Sequence, residues 1–120
     1  MRIFFSALIV TGLMAMPAYA QTTTIEDHSG YSQIMNGDFA AAEKMVKKQR
    51  NEFPDDADLM LNLAVIYAQT GRISQARSLY NEVLDHADQS LVLAQNRTAS
   101  AHDIARRGLQ RLGTTQVSVR

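Results

Sequence analysis

The chain has 120 residues, with twelve Lys and Arg balanced by twelve Asp and Glu and 46% hydrophobic residues. That length allows one small domain, and the absence of a basic excess argues against a nucleic-acid partner. With no cysteine, disulfides, haem attachment, thiolate metal sites and a lipidated cysteine anchor are excluded.

Met1-Arg2 gives a positive start, Ile3 to Met16 is almost wholly apolar, and Pro17 breaks the run ahead of Ala18-Tyr19-Ala20. This is the layout of a cleavable secretory leader over residues 1–20, with cleavage expected before Gln21. The apolar run is about 14 residues, short of the roughly 20 that span a bilayer, so no stable membrane anchor is expected. The expected location is therefore outside the cytoplasm, in the periplasm of a Gram-negative bacterium, with release from the cell as the alternative. Without Arg2, eleven basic side chains face twelve acidic ones. Residues 21–27 are polar and aperiodic and read as a flexible start.

A weak helix is expected from Ser29 to Asn36, ended by Gly37-Asp38. Phe39, Ala42, Met45 and Val46 then recur at helical spacing, with Glu43, Lys44, Lys47 and Lys48 outward. Phe53-Pro54 stops that helix, because proline disfavours helical backbone in the residue before it. Asp55 or Asp56 caps the next helix, in which Leu59, Met60, Leu63, Val65, Ile66 and Tyr67 are apolar nearly all round, the pattern of a buried helix. Gly71 suits a left-handed helix end. Ser74 to His86 forms a fourth helix with Ala76, Leu79, Tyr80, Val83 and Leu84 inward. Residues 90–99 read either as a short strand–turn or as the start of one continuous helix from Ser90 to Leu112. Ser100-Ala101-His102-Asp103 resembles a capping box, and Ala101, Ile104, Ala105, Gly108 and Leu112 share a face opposite Arg106, Arg107 and Arg111. Gly113 is expected to close this last helix, leaving 114–120 as a flexible tail.

Two of these helix pairs repeat at a spacing of 34 residues: Gly37 recurs as Gly71, Ala42 as Ala76, Phe39 as Ile73 and Val46 as Tyr80. That period, with Met60, Leu63, Ala64, Tyr67, Gly71, Ala76 and Tyr80 in place, resembles the tetratricopeptide repeat. Methionine stands where the family usually has tryptophan, and alanine where it usually has glycine. The preceding repeat is degenerate: Glu26, Ser29 and Gln33 occupy positions that are large and apolar in the family. The fold implied is all-α. A degenerate repeat spans 28–56 and a full repeat 57–89, followed by a connecting segment at 90–99 and a capping helix at 100–113 of the kind terminal repeats need.

The resemblance implies a non-catalytic protein-interaction module whose first helices line a concave groove. The groove candidates are Asp58, Leu61, Asn62, Val65, Ala68 and Gln69, of which Leu61, Val65 and Gln69 are the principal contacts expected. The lysine–asparagine clamp that grips C-terminal carboxylates in the best-known variant is replaced here by Leu61 and Val65, so a partner helix or an apolar strip of a partner protein is expected instead. If neighbouring elements cover Leu61 and Val65 they are core; otherwise they form an exposed interaction patch. Replacing both by aspartate is expected to abolish binding and keep the helices. The alternative is a self-associating structural protein that buries its open stacking face against a second copy.

Other constellations carry little. His28, His86 and His102 lack ligand spacing, and Met35, Met45 and Met60 fit core filling better than copper binding. Arg106, Arg107 and Arg111 fit a solvated helix face with cations near its C-terminus. Asp55, Asp56 and Asp58 sit where acids favour a helix start. No nucleophile–base pair or phosphate-binding loop appears, so no catalytic residue, cofactor or metal is assigned.

Overall fold

The computed structural model describes residues 29–117. The expected leader (1–20), the polar start (21–27), His28 and the final residues 118–120 lie outside them. Among the described residues the architecture is five helices with a small hairpin before the last: α1 (Tyr31–Met35), α2 (Phe39–Glu52), α3 (Ala57–Gln69), α4 (Ile73–Asp85), β1 (Ser90–Val92), β2 (Thr98–Ser100) and α5 (Ala101–Val117). A 3-10 turn at Ala94–Asn96 joins the strands. The fold is thus the expected stack of helix pairs with a terminal helix, and 90–99 takes the strand–turn form.

The period of 34 has a local physical basis. After α1, the Gly37 N–H donates to the Ile34 carbonyl and the Asp38 N–H to that of Gln33, at 3.0 and 2.9 Å. After α3, the Gly71 N–H donates to Ala68 and the Arg72 N–H to Tyr67, at 3.3 and 2.8 Å. Both are the Schellman arrangement, which satisfies orphan helix carbonyls through a left-handed residue, and Gly37 and Gly71 stand at φ 76° and 80°. Aspartates supply two of the N-caps. Asp38 accepts from the Ala41 N–H, and Asp56 from those of Asp58 and Leu59. Of the two capping candidates for α3, Asp56 is the one used.

α3 is the centre of the molecule. Eight of its thirteen residues are buried, because α2, α4 and α5 all pack on it. Ala64 and Ala76 are fully buried where α3 meets α4, and their lack of bulk allows close approach of the two helices. Tyr67 and Tyr80 are also buried. Met60 is core and Met45 half-buried, but Met35 is 66% exposed. The core-filling role expected of Met35 is not seen, because α1 is only five residues long and buries none of its residues.

A network across the repeats fixes α2 to the α3–α4 turn. Arg72 grips both carboxylate oxygens of Glu43 through its two terminal nitrogens, at 2.9 and 2.7 Å. Lys47 reaches the same carboxylate at 2.7 Å. The Arg72 guanidinium stands 4.4 Å from the Tyr67 ring centroid, within cation–π range. Hydrogen bonds from Arg72 and then Lys47 lower the pKa of Glu43 to about 2.

α5 does not stop at Gly113. The helix runs through it to Val117, so the expected terminator and the start of the expected tail are both helical. A glycine ends a helix when it takes the left-handed conformation, and Gly113 has no positive φ. Leu112 meanwhile stays buried in the core, and the Thr114 hydroxyl donates to the Arg111 carbonyl at 2.9 Å.

Candidate functional site

The outward side of α3 faces two adjoining hollows that share Val65. The larger, about 780 Å³, is walled by α1 (Tyr31, Ser32), α3 (Asp58, Leu61, Asn62, Val65), the hairpin (Leu91, Val92, Leu93, Arg97) and Ile104 of α5. The smaller, about 480 Å³, lies between α3, α4 and α5 and includes Ala68, Gln69, Ile73 and Gly108. The six expected groove residues are thus divided. Asp58, Leu61 and Asn62 line the first hollow, Ala68 and Gln69 the second, and Val65 both.

Their accessibility differs. Leu61 is only 4% exposed and forms floor, held on its inner side by the core. Val65, Asp58, Asn62 and Ala68 are half-buried, and Gln69 is exposed. The question the sequence left open therefore has two answers. Leu61 is a core residue with one edge in the groove, and Val65 is a groove residue. The Asn62 side chain donates to the Ser29 carbonyl at 3.0 Å, tying the start of the described chain to α3 so that α1 forms a wall.

The opposite wall is the hairpin, and several bonds fix its place. β1 and β2 pair antiparallel with Leu91 opposite Ala99. The turn puts Gln95 and Asn96 at φ 62° and 60°, left-handed backbone of the kind that matches hairpin twist and that asparagine tolerates best after glycine. At the base, the Gln89 amide donates to the Asp55 carbonyl at 2.8 Å and its oxygen accepts from the Ala57 N–H at 3.2 Å. This anchors the hairpin to the start of α3.

Asp88 ties the hairpin to α5. It accepts from the Ser100 hydroxyl at 2.6 Å and from the His102 N–H at 3.0 Å, and these two bonds, the serine's first, hold its pKa below the usual value. The Ser100 oxygen in turn accepts from the Asp103 N–H at 3.2 Å. The serine arm of the expected capping box is present, while a carboxylate from before the hairpin takes the preceding helix N–H, that of His102. Asp103 itself accepts from Arg106.

Chemically, the larger hollow has an apolar lining with polar groups at its rim. Tyr31 is 50% and Val92 72% exposed beside it. The two described histidines lie outside it. His86 ends α4 with its Nδ1 3.7 Å from Asp55, and His102 Nε2 is 2.8 Å from the His86 carbonyl oxygen. The large acid shift belongs to the Glu43 network on a different face and follows from ion pairing. Among the described residues, no group of three or more His, Asp or Glu is placed to hold a metal ion, and no helix is long and apolar enough to cross a membrane.

Sequence reasoning missed most of the wall: Tyr31 and Ser32, the hairpin residues Leu91, Val92, Leu93 and Arg97, and Ile104. The available signal was the run Leu91-Val92-Leu93 followed by Gln95-Asn96, an apolar strand ahead of a turn pair.

No curated protein and no solved structure matched the chain. The tetratricopeptide repeat family model matches residues 33–96, from α1 through the hairpin turn and over half the chain. Repeats of that family generally mediate protein–protein interaction and are typically non-catalytic. The paired Schellman turns, the buried small residues between helices and this match together establish that the chain belongs to the tetratricopeptide repeat family.

Proposed function

We propose that this protein is an exported, non-catalytic adaptor of the bacterial cell envelope that holds an apolar segment of another envelope or secreted protein in the groove beside α3. The carrying observation is the hollow of about 780 Å³ walled by α1, α3, the hairpin and α5, in a family built for protein contacts. Its volume falls within the roughly 300–1,000 Å³ range of ligand-sized pockets, room for a few anchoring side chains of a larger partner. Export rests on the leader pattern of residues 1–20 and a periplasmic destination on the lack of a lipidation cysteine. Val65 and Gln69 are the contacts of choice, with Leu61 beneath them.

The test is a mild-crosslinking capture of the tagged protein from its own envelope fraction, compared with Val65→Lys. One dominant heterologous partner, lost in the variant, supports the adaptor; a partner retained by a folded variant removes the groove from the reading. N-terminal sequencing of the fractionated protein checks export, with Gln21 expected as the first residue.

Self-association is the second reading. It is favoured by Tyr31 and Met35, exposed by 50% and 66% on α1, the first of the described helices. A molecular mass and melting temperature that rise with protein concentration would support it.

A further inference from the structure

We infer that the groove selects an acidic amphipathic helix of its partner, with apolar side chains meeting the Val65–Ile104 floor and carboxylates meeting Arg97 and Arg107. This inference rests on the groove reading above and adds the chemistry of the occupant. Leu93, Arg97 and Ile104 line the main hollow and also a third one of about 380 Å³ beside it, which adds Asp103 and Arg107. The apolar floor and the arginine-bearing rim are therefore continuous.

The charges lining the two hollows are segregated: Asp58 stands on the α3 wall, while Arg97 and Arg107 stand on the hairpin and α5 side with Asp103. The Asp103 carboxylate is held by Arg106 at 3.1 Å. Neither Arg97 nor Arg107 has a carboxylate partner among the described residues. The whole chain has zero formal charge, so this positive edge is a local feature and not general basicity. Arginine presents a planar fork of donors that fits a carboxylate on two points. A rim of such groups confers specificity and association rate on an interface whose area comes from apolar contact. Val65 is the α3 side chain that reaches into the hollow, over the floor formed by buried Leu61, and a second helix can seat such a side chain between its own rows. An occupant helix with apolar residues at i, i+3, i+4 and i+7 and acids beside them satisfies floor and rim together.

The experiment uses two fluorescein-labelled helical peptides of about 14 residues, roughly four turns. Both carry the same leucine stripe; one is flanked by glutamate, the other by lysine. Fluorescence anisotropy is measured with the purified protein. The glutamate peptide is expected to bind about tenfold more tightly, with the advantage shrinking between about 30 and 300 mM salt. Arg97→Glu plus Arg107→Glu, on exposed positions, is expected to keep the melting temperature and reverse the preference.

Equal binding of the two peptides, or a glutamate preference that survives the charge reversal, overturns the inference. So does binding of neither peptide. If Val65→Lys abolishes binding while charge reversal changes nothing, the groove stands and the acidic partner falls. If the glutamate peptide binds Val65→Lys unchanged, the groove itself fails. Tighter peptide binding by Glu26→Gln plus Asp27→Asn would assign the rim to the chain's own acidic start and overturn an external partner.

Discussion

Gly108 of α5 packs against the ring of Tyr80 on α4, so close that a methyl group at 108 would overlap the ring carbons. Both residues are buried. The contact explains how the terminal helix seats on the second repeat: a large ring fills the gap, and the missing side chain makes room for it. Gly108→Ala is expected to lower stability by about 1–3 kcal/mol through overpacking, although alanine by itself favours a helix interior over glycine by about 1 kcal/mol. Thermal melting of the single variant and of Gly108→Ala plus Tyr80→Leu checks this. The double variant should lose less than the sum of the two single losses, and an unchanged melting temperature in Gly108→Ala would contradict the contact.

The Glu43–Arg72 pair makes stability depend on acid. The carboxyl titrates near 4.5 when free and at about 2 when folded, so its contribution is fully present above pH 4.5 and fades as pH falls towards 2. Glu43 is half-buried, but its partners Lys47 and Arg72 are more open to solvent, and screening there reduces the effect to about 1 kcal/mol. Denaturant unfolding at pH 7 and pH 2 should show Glu43→Gln weaker than the wild type at pH 7 and nearly equal to it at pH 2. A difference that stays constant with pH would rule the pair out as the cause.

Leu61 and Val65 should now separate. Leu61→Asp puts a charge into the core, and since truncating a buried leucine alone costs about 2–5 kcal/mol, the variant is expected to lose its cooperative transition. The expectation that aspartates at both positions would spare the helices is therefore replaced by two single tests. Val65→Lys should cost about 1 kcal/mol or less, because the long side chain can carry its charge out to water. Circular dichroism melts distinguish them, and a native-like melt for Leu61→Asp would refute its burial.

Ser100 joins the hairpin to α5 by donating to Asp88 and accepting from the Asp103 N–H. Ser100→Ala removes both bonds and should cost about 1 kcal/mol, as expected for loss of an N-cap. Hydrogen exchange should quicken at the Asp103 amide, while exchange in the middle of α3 should follow only the global loss of stability. Protection at Asp103 equal to that of the wild type would show that the helix start is held by other groups.

Much of the fold was legible because it depends on short-range chemistry. Gly37 and Gly71 mark Schellman turns, Asp38 and Asp56 mark N-caps, and Ala64, Ala76, Tyr67 and Tyr80 mark the packed faces, all within a few residues of where they act. Gly113 misled because glycine only permits a left-handed end, and nothing in the local sequence shows whether the helix continues. Met35 misled because helical spacing is visible in the sequence, whereas the short length that leaves α1 exposed depends on what packs against it.

The groove was legible on one wall. Asp58, Leu61, Asn62, Val65, Ala68 and Gln69 follow from one face of one helix, a relation with a fixed period. Tyr31, Leu91, Val92, Arg97 and Ile104 join them from three other elements, and their distance along the chain gave no period to follow.

The sequence alone thus determined the repeat, its turns and the all-α class, since backbone caps and helical periodicity are local and strong. Only the tertiary structure decided that Leu61 is floor and Val65 is surface, and that the hairpin rises beside α3 to bring Arg97 into line with Arg107. Those outcomes follow from long-range ties, chiefly Gln89 to Asp55 and Ala57 and Asp88 to Ser100 and His102. Each tie adds little by itself, and together they position a wall that no single segment specifies.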